Sequence, residues 1–217
     1  MAEPGADFLV LHEIIKKAKQ NLDRNAWDYI VGGSESETTL RRNRLAIDQV
    51  AFRPRVLRDV SRVDPSWPLL GHRLHIPVLL APIGAVETFD PAGGAAAGRV
   101  AAQFGVCNML SSVCAPGLEA TAEASRGGMP IFQLYVRGDD GFVDEHAERA
   151  TKAGYKAFCI TVDTQLYSRR ERDLAKRYLP ARRRVATGME FQAAFDWEKV
   201  RRFKPVSYTH LTLPTKA

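Results

Sequence analysis

Apolar side chains recur along this chain in two rhythms, and the change from one to the other divides it. From Leu9 to Leu22 (LVLHEIIKKAKQNL) they fall at helical spacing with lysines on the opposite face, which predicts an amphipathic helix. A second short helix is predicted over Ala26–Val31 (AWDYIV) and is ended by Gly32-Gly33. Ser34 to Arg44 contains the run S-E-S-E, which reads as the N-cap and acidic first turn of a third helix. FRPRVL (Phe52–Leu57) is expected to be extended, because a proline disfavours helix at the residue before it.

From Ile76 the rhythm becomes a repeat of short apolar runs and longer helical ones. The runs IPVLLAP (Ile76–Pro82), VCNMLSS (Val106–Ser112), PIFQLYV (Pro130–Val136) and KAFCITVD (Lys156–Asp163) read as strands, the first of them buried. Between them, Ala92–Gly105, Gly117–Gly128 and Asp139–Tyr155 read as helices, each carrying a glycine near its stop. Strands alternating with helices predict a parallel sheet, which this order allows to be a (β/α)8 barrel or a doubly wound sheet. No G-x-G-x-x-G follows the first strand, which weighs against a dinucleotide-binding domain. Polar residues gather at the ends of all four strands, as at the mouth of a barrel. A last helix-like stretch, Glu190–Lys204, breaks at Pro205.

Composition adds limits. A chain of 217 residues with 45% hydrophobic content suits one domain with a sizeable core, or most of a larger one. No apolar run reaches the ~18 residues of a membrane span, and the N-terminus lacks the pattern of a secretory signal. Three cysteines, Cys107, Cys114 and Cys159, have no metal spacing, so free thiols in a reducing compartment are expected. Cys107 and Cys159 read as core residues, and Cys114 as a packing residue near a pocket. The expected location is the cytoplasm, or the inner face of a membrane. The net charge of +6 is concentrated in Ser168–Gly188 and Lys199–Lys204. A basic nucleic-acid-binding module is the alternative of a different class, but the run lacks interleaved stacking aromatics. A solvated loop and helix face is the plainer reading, with no nucleic-acid partner expected.

The series W-D-Y-I-V-G-G, N-R, F-R-P-R, L-L-A-P-I-G, L-S-S, F-Q-L-Y, T-V-D-T and R-R-E, in that order from about Leu11 to Lys204, resembles the FMN-dependent 2-hydroxy acid oxidases and dehydrogenases, the group of glycolate oxidase, lactate oxidase and mandelate dehydrogenase. The resemblance implies an α/β fold, the N-terminal half of a (β/α)8 TIM barrel preceded by a short helical segment. It implies FMN as cofactor and oxidation of a small L-2-hydroxy acid to the 2-keto acid, with oxygen, a quinone or a cytochrome as electron acceptor and a homo-oligomeric intact protein. Another FMN barrel enzyme, such as an isopentenyl diphosphate isomerase, is the alternative within the fold class.

Residue by residue, the resemblance gives Tyr29 and Arg170 to the substrate's carboxylate region, with Arg169 and Arg172 read as solvated. Pro82, Ile83 and Gly84 match the turn lying along the flavin ring. Ser111, Gln133 and Thr161 match polar side chains hydrogen-bonded to flavin. Tyr135 matches a second active-site tyrosine near the substrate's hydroxyl carbon, both catalytic and substrate-binding. Asp163 matches the carboxylate that orients a catalytic histidine. No metal ligand is implied. Val113 stands where some oxidases carry an aromatic pocket residue, and Gln165 where a proline often follows T-V-D-T.

The expected organisation is a helical lead-in over 1–75, four βα units over 76–205, and a tail over 206–217 that looks non-native. A full barrel has eight units and typically about 250 residues, so the chain is expected to be an N-terminal fragment. None of its five histidines stands where the base would be, so the fragment is expected to turn over little substrate.

Overall fold

The computed structural model describes residues 7–180, 184 and 186–203. The expected non-native tail, 206–217, lies outside the described residues. Three helices come first: α1 (Leu11–Asn21), α2 (Arg24–Val31) and α3 (Thr38–Asp48). A hairpin of β1 (Trp67–Leu69) and β2 (His72–Leu74) follows, then β3 (Leu79–Leu80). The chain continues through α4 (Gly93–Phe104), β4 (Cys107–Ser111), α5 (Leu118–Ala124), β5 (Met129–Tyr135), α6 (Asp140–Lys152), β6 (Ala157–Thr161) and α7 (Glu171–Ala175). Two short helices, Met189–Ala193 and Trp197–Phe203, close the described part; the predicted single helix over Glu190–Lys204 is thus two.

The chain forms two compact units. One is Met1–Pro54 with Ser168–Arg184, and the other is Arg55–Tyr167 with Val185–Ala217. In the second unit β3, β4, β5 and β6 form a four-stranded parallel sheet in chain order. A doubly wound sheet reverses its strand order at a switch point. This sheet does not, so its order is that of four consecutive βα units of a barrel.

Alternation along the strands builds two layers. Leu110, Phe132, Leu134 and Phe158 point to one face and pack with Val143, Ala147 and Ala150 of α6. Leu134 is fully buried, and the Tyr155 hydroxyl donates to the Leu118 carbonyl at 2.9 Å. The opposite face carries Cys107, Met129, Ile131 and Ala157, with Met109 and Cys159 against them, and Leu74 and Leu69 of the hairpin join this cluster. Along that second face the strands are apolar at their starts and polar at their ends, which sets the location of the site.

Two predicted elements differ. The run Ile76–Pro82 is not a buried strand: only Leu79 and Leu80 pair, on β4 alone, and Ile76, Val78 and Leu79 are exposed. It is an edge strand, with no second neighbour among the described residues to cover it. The S-E-S-E run does not cap α3, which begins at Thr38 after Glu37 in a left-handed conformation. Glu37 instead accepts from the Gly33 amide (3.2 Å) and from Arg172. Phe52–Leu57 contains no helix or strand, but its last residue, Leu57, has a φ of +57°, so the run is not extended to its end.

Candidate functional site

The register of the parallel sheet assembles the polar strand ends. Ser111 on β4 lies opposite Gln133 on β5, and Tyr135 on β5 lies opposite Thr161 on β6. Residues two apart share a face, so Ser111, Gln133, Tyr135 and Thr161 form one patch on the face whose other half is apolar. Ser111 and Gln133 are 1% and 3% exposed. The Gln133 side-chain amide nitrogen donates to the Thr161 hydroxyl, while its Oε1 is buried without a hydrogen-bond partner. A buried amide acceptor left unpaired costs free energy unless a ligand donor or water meets it. The Tyr135 amide donates to the Ser112 hydroxyl at 3.0 Å, which fixes the backbone beneath the tyrosine ring.

The turn after β3 approaches the same strand ends. A Cβ on Gly84 would lie 2.8 Å from a methyl of Val113 and 3.9 Å from the Ser111 hydroxyl, so only glycine allows this close approach. Pro82 is half-buried and Ile83 exposed. A cavity of about 230 Å³ is lined by Ile83, Ser111, Leu80, Met109 and Cys114 among others. Cys114 thus does border a pocket. Burial raises its thiol pKa, and pushes that of Cys107 up to about 11. Such thiols stay protonated and weakly nucleophilic. Asp163, two residues beyond Thr161, is exposed.

Tyr29 and Arg170 belong to the first unit and meet there. The Arg170 guanidinium lies 4.8 Å from the centroid of the Tyr29 ring and donates to the Tyr29 carbonyl at 2.7 Å and the Gly32 carbonyl at 3.3 Å. Its backbone also bridges to Glu35. Arg169 and Arg172 are both exposed, as expected, but Arg172 is also paired: its Nε and Nη2 donate to the two Glu37 oxygens at 2.6 and 2.8 Å. Lys176 donates to Asp28 at 2.9 Å. Part of the basic run is therefore internal pairing within this unit. The pairs span about 135 to 148 positions of sequence, so a local reading of charge could not find them.

Sequence reasoning also missed a cluster just past the tip of β5. Arg137 donates from Nη2 to the Tyr167 hydroxyl at 2.9 Å and from Nη1 to the Thr187 carbonyl at 3.4 Å. Its guanidinium lies 6.0 Å from the Tyr135 ring centroid. The only available signal was its spacing, two residues after Tyr135. A larger cleft of about 780 Å³, lined by His72, Glu119, Arg149, Lys152 and Lys156 among others, contains none of the expected site residues. It sits by the starts of β5 and β6 rather than their ends. Among the described residues no group of three or more histidine, cysteine or acidic side chains could hold a metal, and no helix is long and apolar enough to cross a membrane.

Comparison with known proteins identifies the family. The model of the FMN-dependent dehydrogenase family matches residues 18–211. Glycolate oxidase 1 of Zea mays is 40% identical over 162 residues, 75% of this chain and 44% of that protein. Glycolate oxidase of Spinacia oleracea is 37% identical over 162 residues, with the same two coverages. The chain therefore spans less than half the length of these curated relatives. A crystal structure of mandelate oxidase superimposes with a TM-score of 0.84 at 31% identity, covering 94% of this chain and 60% of that one. A mandelate oxidase variant carrying an FMN adduct superimposes with a TM-score of 0.81 at 31% identity, covering 92% and 60%.

Proposed function

Because the chain belongs to the FMN-dependent dehydrogenase family, we propose that it supplies the flavin-contacting strand ends of an enzyme that oxidises a small L-2-hydroxy acid to the 2-keto acid. The observation that carries this reading is the buried, unpaired Oε1 of Gln133 beside Ser111 and Thr161. The pyrimidine edge of an isoalloxazine ring presents an N–H donor and carbonyl acceptors, and so matches an amide acceptor flanked by two hydroxyls. The turn at Pro82, Ile83 and Gly84 packs against Val113 beside Ser111, and its backbone would lie along the ring. When bound, FMN would supply the two-electron redox chemistry.

The chain's own residues would bind and orient. Ser111, Gln133 and Thr161 would hold the ring. Tyr135 would present its hydroxyl to the substrate's reacting carbon. Tyr29 would donate to the substrate carboxylate, and Arg170 would serve the same anion. Asp163 would hold the tautomer of a histidine base and favour its protonated form. Oxygen, a quinone or a cytochrome would take the electrons onward, from a homo-oligomer in the cytoplasm or on the inner face of a membrane. The pairing of Arg172 and Lys176 within the first unit leaves fewer free cations for a nucleic-acid surface.

The test is titration of the purified chain with FMN, followed by flavin fluorescence and absorbance. Stoichiometric, quenched FMN whose spectrum is perturbed by glycolate, lactate or mandelate is expected. Absence of any FMN uptake by a folded chain would overturn the reading.

A further inference from the structure

We propose that Arg137 is a positioning residue for Tyr135, clamping that ring to the segment that follows β6. Three separate observations carry it. Gln133, Tyr135 and Arg137 are two apart, so alternation turns Arg137 toward the face that holds the site, and its guanidinium does lie over the Tyr135 ring at 6.0 Å. That distance is at the outer limit of a cation–ring contact, so the ring contact alone would say little. The guanidinium is also fixed from two other directions, by the Tyr167 hydroxyl (2.9 Å) and the Thr187 carbonyl (3.4 Å), 30 and 50 positions further along the chain.

The third observation is the backbone at Gly188. Its φ is +75°, and a Cβ there would lie 2.4 Å from the Arg137 carbonyl oxygen. The segment at 187–188 therefore rests directly on the backbone just past the tip of β5, a contact that only glycine permits. Arg137 is held between this segment, the loop after β6 and the Tyr135 ring. A planar guanidinium can lie over a ring while its edge donates to two acceptors; a lysine ammonium lacks that flat face and is a point charge on a flexible stem. Its Nε is buried without a partner, a cost that the other contacts of the guanidinium must outweigh.

The consequence is that the Tyr135 ring is packed against the Arg137 guanidinium while its backbone is held by the amide bond to Ser112, which limits how the ring turns. Only the role of Tyr135 at a substrate rests on the reading above; the clamp itself does not.

The experiment is ¹⁹F NMR of the full chain labelled with 3-fluorotyrosine, with the Tyr135 signal assigned by Tyr135→Phe. A clamped ring flips slowly and gives two signals, or one broadened signal, for the two ring-edge positions of the fluorine. A free ring gives one narrow signal. The parent chain is expected to show the first pattern, and Arg137→Leu the second. Arg137→Lys should recover it only in part, and Tyr167→Phe, which keeps the arginine, should narrow it. The buried Tyr155 signal reports that the fold is intact. A Tyr135 signal unchanged in Arg137→Leu would overturn the clamp. Should that variant unfold, an unchanged signal in Tyr167→Phe would do the same. FMN titration of the same samples keeps the two readings apart: a chain with the clamp but no FMN uptake overturns the functional reading alone.

Discussion

Gln133 has both ends of its amide buried, one satisfied by Thr161 and one not. Gln133→Leu keeps the approximate size and removes the acceptor. It should weaken FMN binding by about tenfold to a hundredfold, the equivalent of ~1–3 kcal/mol for a buried hydrogen bond. The thermal stability of the FMN-free chain should change little, since an unsatisfied acceptor leaves with the side chain. Fluorescence titration and a melting curve check the two halves of this expectation. That Gln133, Ser111, Thr161 and Tyr135 share one face was legible in the sequence because a strand fixes side-chain direction by parity. The exposure of Arg172 was legible too, but its ion pair was not, because its partner Glu37 lies 135 positions away. Arg137 was passed over because its contacts, Tyr167 and Thr187, belong to irregular segments whose course no periodicity predicts. Gly188→Ala probes that course. The added methyl meets backbone at 2.4 Å in a left-handed conformation. The cost should be about 1–2 kcal/mol, read as a lowered melting temperature.

Among the elements, α2 and α7 are joined by charge: Lys176 and Arg172 both reach Asp28. Asp28 is held below its ordinary value of 3.8 first by the hydrogen bond from Lys176. Glu37 is held below 4.5 first by the hydrogen bond from Arg172, then by the Gly33 amide. A carboxylate with a lowered folded pKa stabilises fully above its unfolded value, and the contribution is lost as pH falls through the folded one. The contacts of α7 with α2 and with the turn before α3 should therefore be complete above pH 4.5 and weaken progressively below it. Hydrogen exchange of the 171–176 amides should be protected at pH 6 and faster at pH 3, after correction for intrinsic rates. Lys176→Met should reduce that difference, whereas an unchanged difference would place the acid sensitivity elsewhere. The element-level reading of the sequence erred where tertiary partners decide. S-E-S-E has the residues of a cap, but Glu37 serves Arg172. The hairpin at 67–74 went unread because its turn depends on Leu70 and Gly71 both adopting positive φ, and the leucine gives no warning of it.

For the molecule as a whole, strand order followed from the alternation of strands and helices, but exposure did not. An apolar strand is buried only if something lies on both sides of it. β3 and β6 are the edges of the parallel sheet, and apolar side chains stand open beside them: Val78 (44%), Leu79 (42%) and Ile83 (59%) near one, Val162 (49%) near the other. Edge strands with free backbone groups and apolar flanks invite pairing with another chain. The chain of 24.1 kDa should accordingly show a mass by light scattering that rises with concentration. Its net charge of +6 opposes association, and added salt screens that repulsion while leaving apolar contacts intact. Self-association should thus strengthen with salt, and Val78→Lys with Val162→Lys should shift it to higher concentration. Association that instead dissolves in salt would point to ion pairing between the basic runs and acidic surface groups, and away from the sheet edges.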